Sequence, residues 1–122
     1  MIFENIKDLA KNNVNFRQVI YTGKRSQLVL MSLMPNEDIG EETHEINDQI
    51  IFIVKGDGKA ILNGESTEIH KHSVVFVTAG TKHNIINNGS EDMKLYTVYA
   101  PPAHKDGIVH KTKKDAEKEE KY

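Results

Sequence analysis

The apolar positions along this chain change period near residue 16. Before that point Phe3, Ile6, Leu9 and Ala10 recur at helical spacing, with Lys7, Asp8 and Lys11 between them. The segment therefore predicts a short amphipathic helix resting on the flank of whatever follows. From Phe16 onward, short runs rich in Val, Ile, Leu, Phe and Tyr alternate with turn residues at intervals of roughly 8 to 12, the pattern of an all-β sandwich or barrel. Turns are expected at Thr22-Gly23-Lys24, Pro35-Asn36, Gly56-Asp57-Gly58, Asn63-Gly64 and Asn88-Gly89. An Asn-Gly pair between apolar runs suits a type I′ turn, whose two central residues need positive φ, so both Asn-Gly dipeptides predict antiparallel hairpins.

The run from Gln49 to Val54 is apolar on both faces. Its outer face must then be covered by a second sheet, the N-terminal helix or another subunit, and a homodimer formed by sheet packing is expected. After Tyr99, Pro101 and Pro102 remove ladder donors, so the chain is expected to leave the sheet there. The stretch from Thr112 has helix-forming composition with Thr112 as its N-cap, but almost nothing apolar to anchor it. Fraying is expected.

A length of 122 residues accommodates one core, so a single domain over 1–122 is expected, with the sheet core at about 16–100 and a polar tail at 101–122. Basic residues number 16 and acidic residues 18, for a net charge of -2. That balance supplies no field to draw in nucleic acid or an anionic membrane, and neither is expected as a partner. The absence of cysteine excludes a disulfide framework, a thiolate metal site and a thiol nucleophile. No stretch approaches a membrane span and the N-terminus lacks the apolar run of a signal peptide, so a soluble, cytoplasmic protein is expected.

Any chemistry must therefore come from His, Asp, Glu and Tyr. Of six histidines, His44 and His83 stand apart, because one precedes the most apolar strand and the other follows the Val74–Val77 run. If residues 42–44 are extended, period-two geometry turns Glu42 and His44 to the same face, where a carboxylate and an imidazole converge. His70 and His72 flank Lys71 at a turn and read as solvated. His104 and His110 read as solvated tail positions, unless the tail folds back and brings His104 to a substrate as acid or base. Tyr96 and Tyr99 have opposite parity, so at most one points inward.

With these residues in view, the chain resembles the cupin superfamily. The first motif of that family has the form G-x5-H-x-H-x(3,4)-E-x6-G and the second the form G-x5-P-x-G-x2-H-x3-N. Aligned on Gly56, Gln49 stands at the glutamate of the first motif, His44 at its second histidine and Glu42 at its first. In the second motif Gly80, His83 and Asn87 match, Thr78 replaces proline and His72 replaces the first glycine.

The resemblance spans roughly residues 26–100. It implies an antiparallel double-stranded β-helix, the jelly-roll barrel, with a divalent metal held by Glu42, His44, Gln49 and His83. Relative to three histidines and one glutamate, the set keeps one negative charge and loses one imidazole. Mixed N/O ligation suits Zn, Fe, Mn, Ni or Co equally.

Two functions are compatible with such a site. One is a metal-dependent enzyme, isomerase-like or dioxygenase-like, acting on a small polar molecule such as a sugar or sugar phosphate. The other is a non-catalytic barrel that senses or stores a small ligand. No phosphate-binding glycine loop is present and the only arginines are Arg17 and Arg25; no residue is assigned a catalytic step.

Overall fold

Period-two alternation sorts the side chains of the longer strands into an inner and an outer set. The computed structural model describes residues 3–120. Its elements run α1 (Ile6–Asn12), β1 (Arg17–Thr22), β2 (Gln27–Leu33), β3 (Glu42–Thr43), β4 (Asp48–Lys55), β5 (Gly58–Leu62), β6 (Glu65–Ile69), β7 (Val74–Val77), β8 (Lys82–Ile86), β9 (Met93–Ala100), β10 (Val109–His110) and α2 (Lys113–Glu120). The strands form two antiparallel sheets, one ordered β10-β1-β2-β9-β4-β7 and the other β3-β8-β5-β6. Val29, Met31, Leu33, Ile51, Ile53 and Leu95 from the first sheet share one buried cluster with Ala60, Ile69 and Ile85 from the second. The sheets therefore pack face to face, and each fully buried aliphatic side chain contributes about 1.5–3 kcal/mol.

The N-terminal helix lies where the pattern of apolar residues places it. Asn5 caps it, its side-chain oxygen accepting from the Asp8 backbone N–H at 3.0 Å. Ile6, Leu9 and Ala10 pack on Leu30, Val54 and Tyr96, on the outer face of the larger sheet. That accounts for one end of the doubly apolar strand β4. Further along the same face Ile50 and Phe52 remain half-buried, and Val74 and Phe76 on the edge strand β7 are 58% and 56% exposed.

The two Asn-Gly dipeptides part company. Asn63 and Gly64 adopt φ values of 49° and 85° and close the β5–β6 hairpin, with Leu62 paired to Glu65. Asn88-Gly89 makes no hairpin, because β8 and β9 lie in different sheets. There the chain crosses between sheets, and the Asn87 side chain takes over the turn. Its carbonyl oxygen accepts from the Gly89 N–H at 3.0 Å, while its amide donates to Leu33 O at 2.9 Å and Glu91 O at 2.8 Å.

Strand β9 ends at Ala100, where Pro101 and Pro102 are expected to end it, but the segment beyond comes back to the fold. Strand β10 returns to pair with β1, Arg17 opposite His110. Helix α2 follows, capped by the Thr112 hydroxyl on the Asp115 N–H at 3.1 Å. Its single apolar residue, Ala116, is 3% exposed and joins the main core. Polar contacts do the rest: Lys113 pairs with Asp38, and His110 with Glu119. Burial pushes the Asp38 carboxyl up, but hydrogen bonds from Lys113 and Asn84 outweigh this and hold it below the usual range.

Candidate functional site

Strand β3 is only two residues long, yet it sets the geometry of the site. Its pairing puts Glu42 opposite His83 of β8, and the period of two brings His44 to the same side as Glu42. The Glu42 Oε2 atom is 2.9 Å from His44 Nε2, and the His44 and His83 rings are 5.4 Å apart between centroids. Gln49, the second residue of β4, faces inward and is 1% exposed. Its carbonyl oxygen lies 3.0 Å from His83 Nε2. The four residues singled out in the sequence thus share one enclosed region, although among the described residues no three His, Asp or Glu side chains close into a ligand set around one point.

The hydrogen bonds around the imidazoles decide which nitrogens are available. His83 Nδ1 is 2.9 Å from Thr81 O; a carbonyl can only accept, so the proton is on Nδ1. That is the arrangement by which metal-binding histidines are usually oriented. The other nitrogen, Nε2, faces the Gln49 oxygen, because the Gln49 amide donates to the Thr97 and Tyr99 hydroxyls at 3.1 Å each. Two lone-pair atoms at that distance call for a proton or a cation between them.

His44 Nε2 is also buried without a hydrogen-bond partner. The Glu42 oxygen, though 2.9 Å away, sits off the axis of that nitrogen, at the distance of a neighbouring ligand rather than in line as an acceptor. Bonds of about 2.1 Å put ligands on adjacent octahedral vertices about 3 Å apart, so both short contacts fit a shared cation. The donors are two imidazole nitrogens, a carboxylate and an amide oxygen, a set that fits a divalent first-row metal.

Burial pushes the Glu42 carboxyl up, but His44, Arg17 and His83 outweigh it, and the net effect holds the group below the ordinary carboxylate range. Arg17 contributes from 3.9 Å away while itself only 1% exposed. Sequence reasoning overlooked this arginine as a site residue. The signal was its parity with Val19, which points a charged side chain inward from an otherwise alternating strand.

A second surprise is the segment that covers this end of the sandwich. Gln27, 2% exposed at the start of β2, accepts from the backbone N–H groups of Ala103 and His104 at 3.1 and 2.9 Å, and donates to His104 O at 2.7 Å. Asn47 donates to Pro101 O and Pro102 O. These bonds strap residues 101–104 down, and the His104 ring meets the Tyr99 ring edge-on at 5.1 Å while Tyr99 meets His44 at 5.5 Å. Burial first, and the charge of Arg17 second, push His104 down to about 4. His104 is half-buried and His110 buried, where the sequence reads both as solvated. His70 and His72 are exposed, as expected, and of the two tyrosines Tyr99 points inward while Tyr96 stacks on Phe52 outside.

A cupin-domain family model matches residues 29–99, from β2 to the end of β9 and across all four candidate ligands. The chain belongs to the cupin family. Among solved cupin-fold neighbours, BH2720 of Bacillus halodurans superposes with a TM-score of 0.94 at 36% identity, over 96% of this chain and 93% of that one. A Thermotoga maritima structure described as a predicted oxalate decarboxylase superposes with a TM-score of 0.61 at 29% identity, over 65% of this chain and 69% of the other. The uncharacterized Bacillus subtilis protein YrkC is 44% identical over 119 residues, covering 92% of this cupin and 63% of YrkC. This chain thus spans less than two thirds of that relative's length.

Proposed function

We propose that this cupin binds a divalent metal through Glu42, His44 and His83, with the Gln49 oxygen as fourth donor, and uses it to act on a small polar molecule. The supporting observation is that His44 Nε2 and His83 Nε2 come together in one buried region, neither engaged by a protein hydrogen-bond donor. When bound, a metal of this kind polarises a carbonyl or hydroxyl oxygen and stabilises the negative charge that develops there. The chain supplies what surrounds that event. Thr81 holds the His83 ring, Glu42 balances charge, the strap over residues 101–104 excludes water, and His104, neutral at pH 7, hydrogen-bonds with the Tyr99 hydroxyl at 3.3 Å and fixes its orientation.

The fold that completes this reading is a double-stranded β-helix closed around the site. The relative described as a predicted oxalate decarboxylase is consistent with chemistry on a small oxygen-rich substrate.

Elemental analysis of tag-free protein tests it. About one divalent metal per chain is expected, retained in His70→Ala and lost in His44→Ala and His83→Ala. Protein that folds normally and carries no metal above background after incubation with Zn, Mn, Fe, Ni or Co would sink the proposal.

The same reading includes a homodimer. The outward row of Ile50, Phe52, Val74 and Phe76 continues to the free edge of β7, and a second copy laid across it would complete the cover that α1 provides only at one end. Phe76→Lys is expected to convert a dimer to a monomer by sedimentation equilibrium; a monomeric unsubstituted protein would refute it.

A further inference from the structure

Beside the candidate metal centre lies a separate cavity of about 150 Å³ between the strap, β1 and α2, room for about five water volumes. Arg17, His104, Lys105, His110 and Glu119 line it, with Ala103 and Ile108 as its apolar wall. The tail folding back over His104 is the alternative that the sequence left open, but Arg17, His110 and Glu119 belong to no motif that would draw attention to this surface.

Its polar groups are arranged for one kind of ligand. The Arg17 guanidinium is buried on the inner face of β1. Lys105 is exposed at the rim. The ring of His110, 5% exposed, directs Nε2 at a carboxylate oxygen of Glu119. Since an oxygen of a carboxylate accepts, that nitrogen donates, and the other ring nitrogen, Nδ1, stays buried with no hydrogen-bond partner. In a neutral ring that nitrogen carries a lone pair, so the group open to an anion in the cavity is Nε2, the donor now turned to Glu119.

Glu119 itself is half exposed on the last turns of a helix held by one buried alanine. Its carboxylate can leave His110 for water without disturbing the core.

We infer that this cavity is a subsite for small carboxylate anions, and that the Glu119 carboxylate occupies it in the resting chain. An incoming acid exchanges with Glu119 on His110, places its charge near Arg17 and Lys105, and lays a short apolar body against Ala103 and Ile108. The subsite adjoins the candidate centre, since Arg17 reaches Glu42 at 3.9 Å and the His104 ring is in contact with Tyr99. It needs no metal to exist.

The test uses the full chain, tag-free and stripped with chelator, with acetate as the probe at constant ionic strength. Binding is read from the imidazole resonances of His104 and His110, with His70 and His72 as internal controls. Glu119→Ala is expected to bind acetate about tenfold more tightly than the unsubstituted protein, and adding Lys105→Ala to it should remove much of that gain. Glu119 is one of the two ionic contacts that hold α2, so Glu119→Gln, which deletes the charge and keeps a side chain that can reach His110, is measured beside Glu119→Ala, and an unchanged thermal transition verifies that both variants fold.

Equal affinity with and without Glu119, or shifts confined to His70 and His72, would overturn the inference. Because the protein is metal-free throughout, failure of the metal proposal leaves this outcome readable.

Discussion

Two histidine–carboxylate pairs in this protein have the same separation and different surroundings. His44 Nε2 and Glu42 Oε2 are 2.9 Å apart; so are His70 Nδ1 and Asp57 Oδ1. The first pair has side chains 19% and 23% exposed, the second 61% and 70%. Water screens the exposed pair, and such contacts contribute about 0–1 kcal/mol. Around the enclosed pair stand His83, Gln49, Tyr99 and Arg17, and there the same distance accompanies a depressed Glu42 carboxyl and an imidazole nitrogen with no aligned partner. Distance alone does not make a site. What distinguishes the two is how many other polar groups share the same enclosed volume.

Removing one carboxylate from each pair separates the two environments most strongly. Glu42→Gln keeps the shape and one acceptor oxygen but deletes the charge, and metal affinity measured by competition with a chromophoric chelator is expected to fall by on the order of 100-fold. Asp57→Asn is expected to leave it unchanged. If both variants bind equally, or if Asp57→Asn is the one that weakens binding, the contrast drawn from burial is wrong.

A second difference concerns acid. Near the enclosed pair, His104 is pushed down to about 4, against 6.5 for an unperturbed histidine. Between those values the unfolded chain binds a proton that the folded chain refuses, so stability rises with pH across the window. The contribution is complete above pH 6.5 and lost as pH falls toward 4. A shift of this size corresponds to about 3 kcal/mol. Chemical denaturation at pH 7 and at pH 4 should show that loss in the unsubstituted protein and a smaller one in His104→Gln. An identical pH dependence in the variant would mean that His104 is not enclosed as described.

How far the sequence disclosed this arrangement depends on whether the information is local. Glu42 and His44 are two apart, so their shared face follows from strand period alone, and the Asn63-Gly64 hairpin follows from the φ each central residue tolerates. Asn88-Gly89 carries the same local preference, but its flanking strands belong to different sheets. Only the tertiary pairing of β8 with β5, and of β9 with β2 and β4, decides that.

The strap was illegible for a related reason. Its anchors, Gln27 and Asn47, lie more than fifty residues upstream and bind its backbone rather than its side chains, so nothing in the segment's own composition reveals them. Helix α2 is held by one alanine and two ionic contacts, too small an apolar signal to register as amphipathic. That Glu42, His44, Gln49 and His83 lie in one region was legible; the cavity that Arg17, His104 and His110 line was not.

The exposed end also has a feature that the enclosed end lacks, and it yields the smallest of the expected effects. His72 sits where the second cupin motif usually has glycine, and its φ is 75°, in the left-handed region that disfavours a residue with a Cβ. The backbone geometry there is fixed by the His72 N–H donating to Ile53 O at 2.8 Å and the Ser73 N–H donating to His70 O at 2.9 Å, so the turn keeps its shape while the side chain bears the strain. Replacing it with glycine relieves that strain, partly offset by the greater freedom glycine gives the unfolded chain. His72→Gly is therefore expected to stabilise the fold by about 0.5–1 kcal/mol in urea titrations, with metal affinity unchanged. Destabilisation would mean that the imidazole at this position contributes a contact worth more than the strain it imposes, and the exposed end could then no longer serve as the inert half of the comparison.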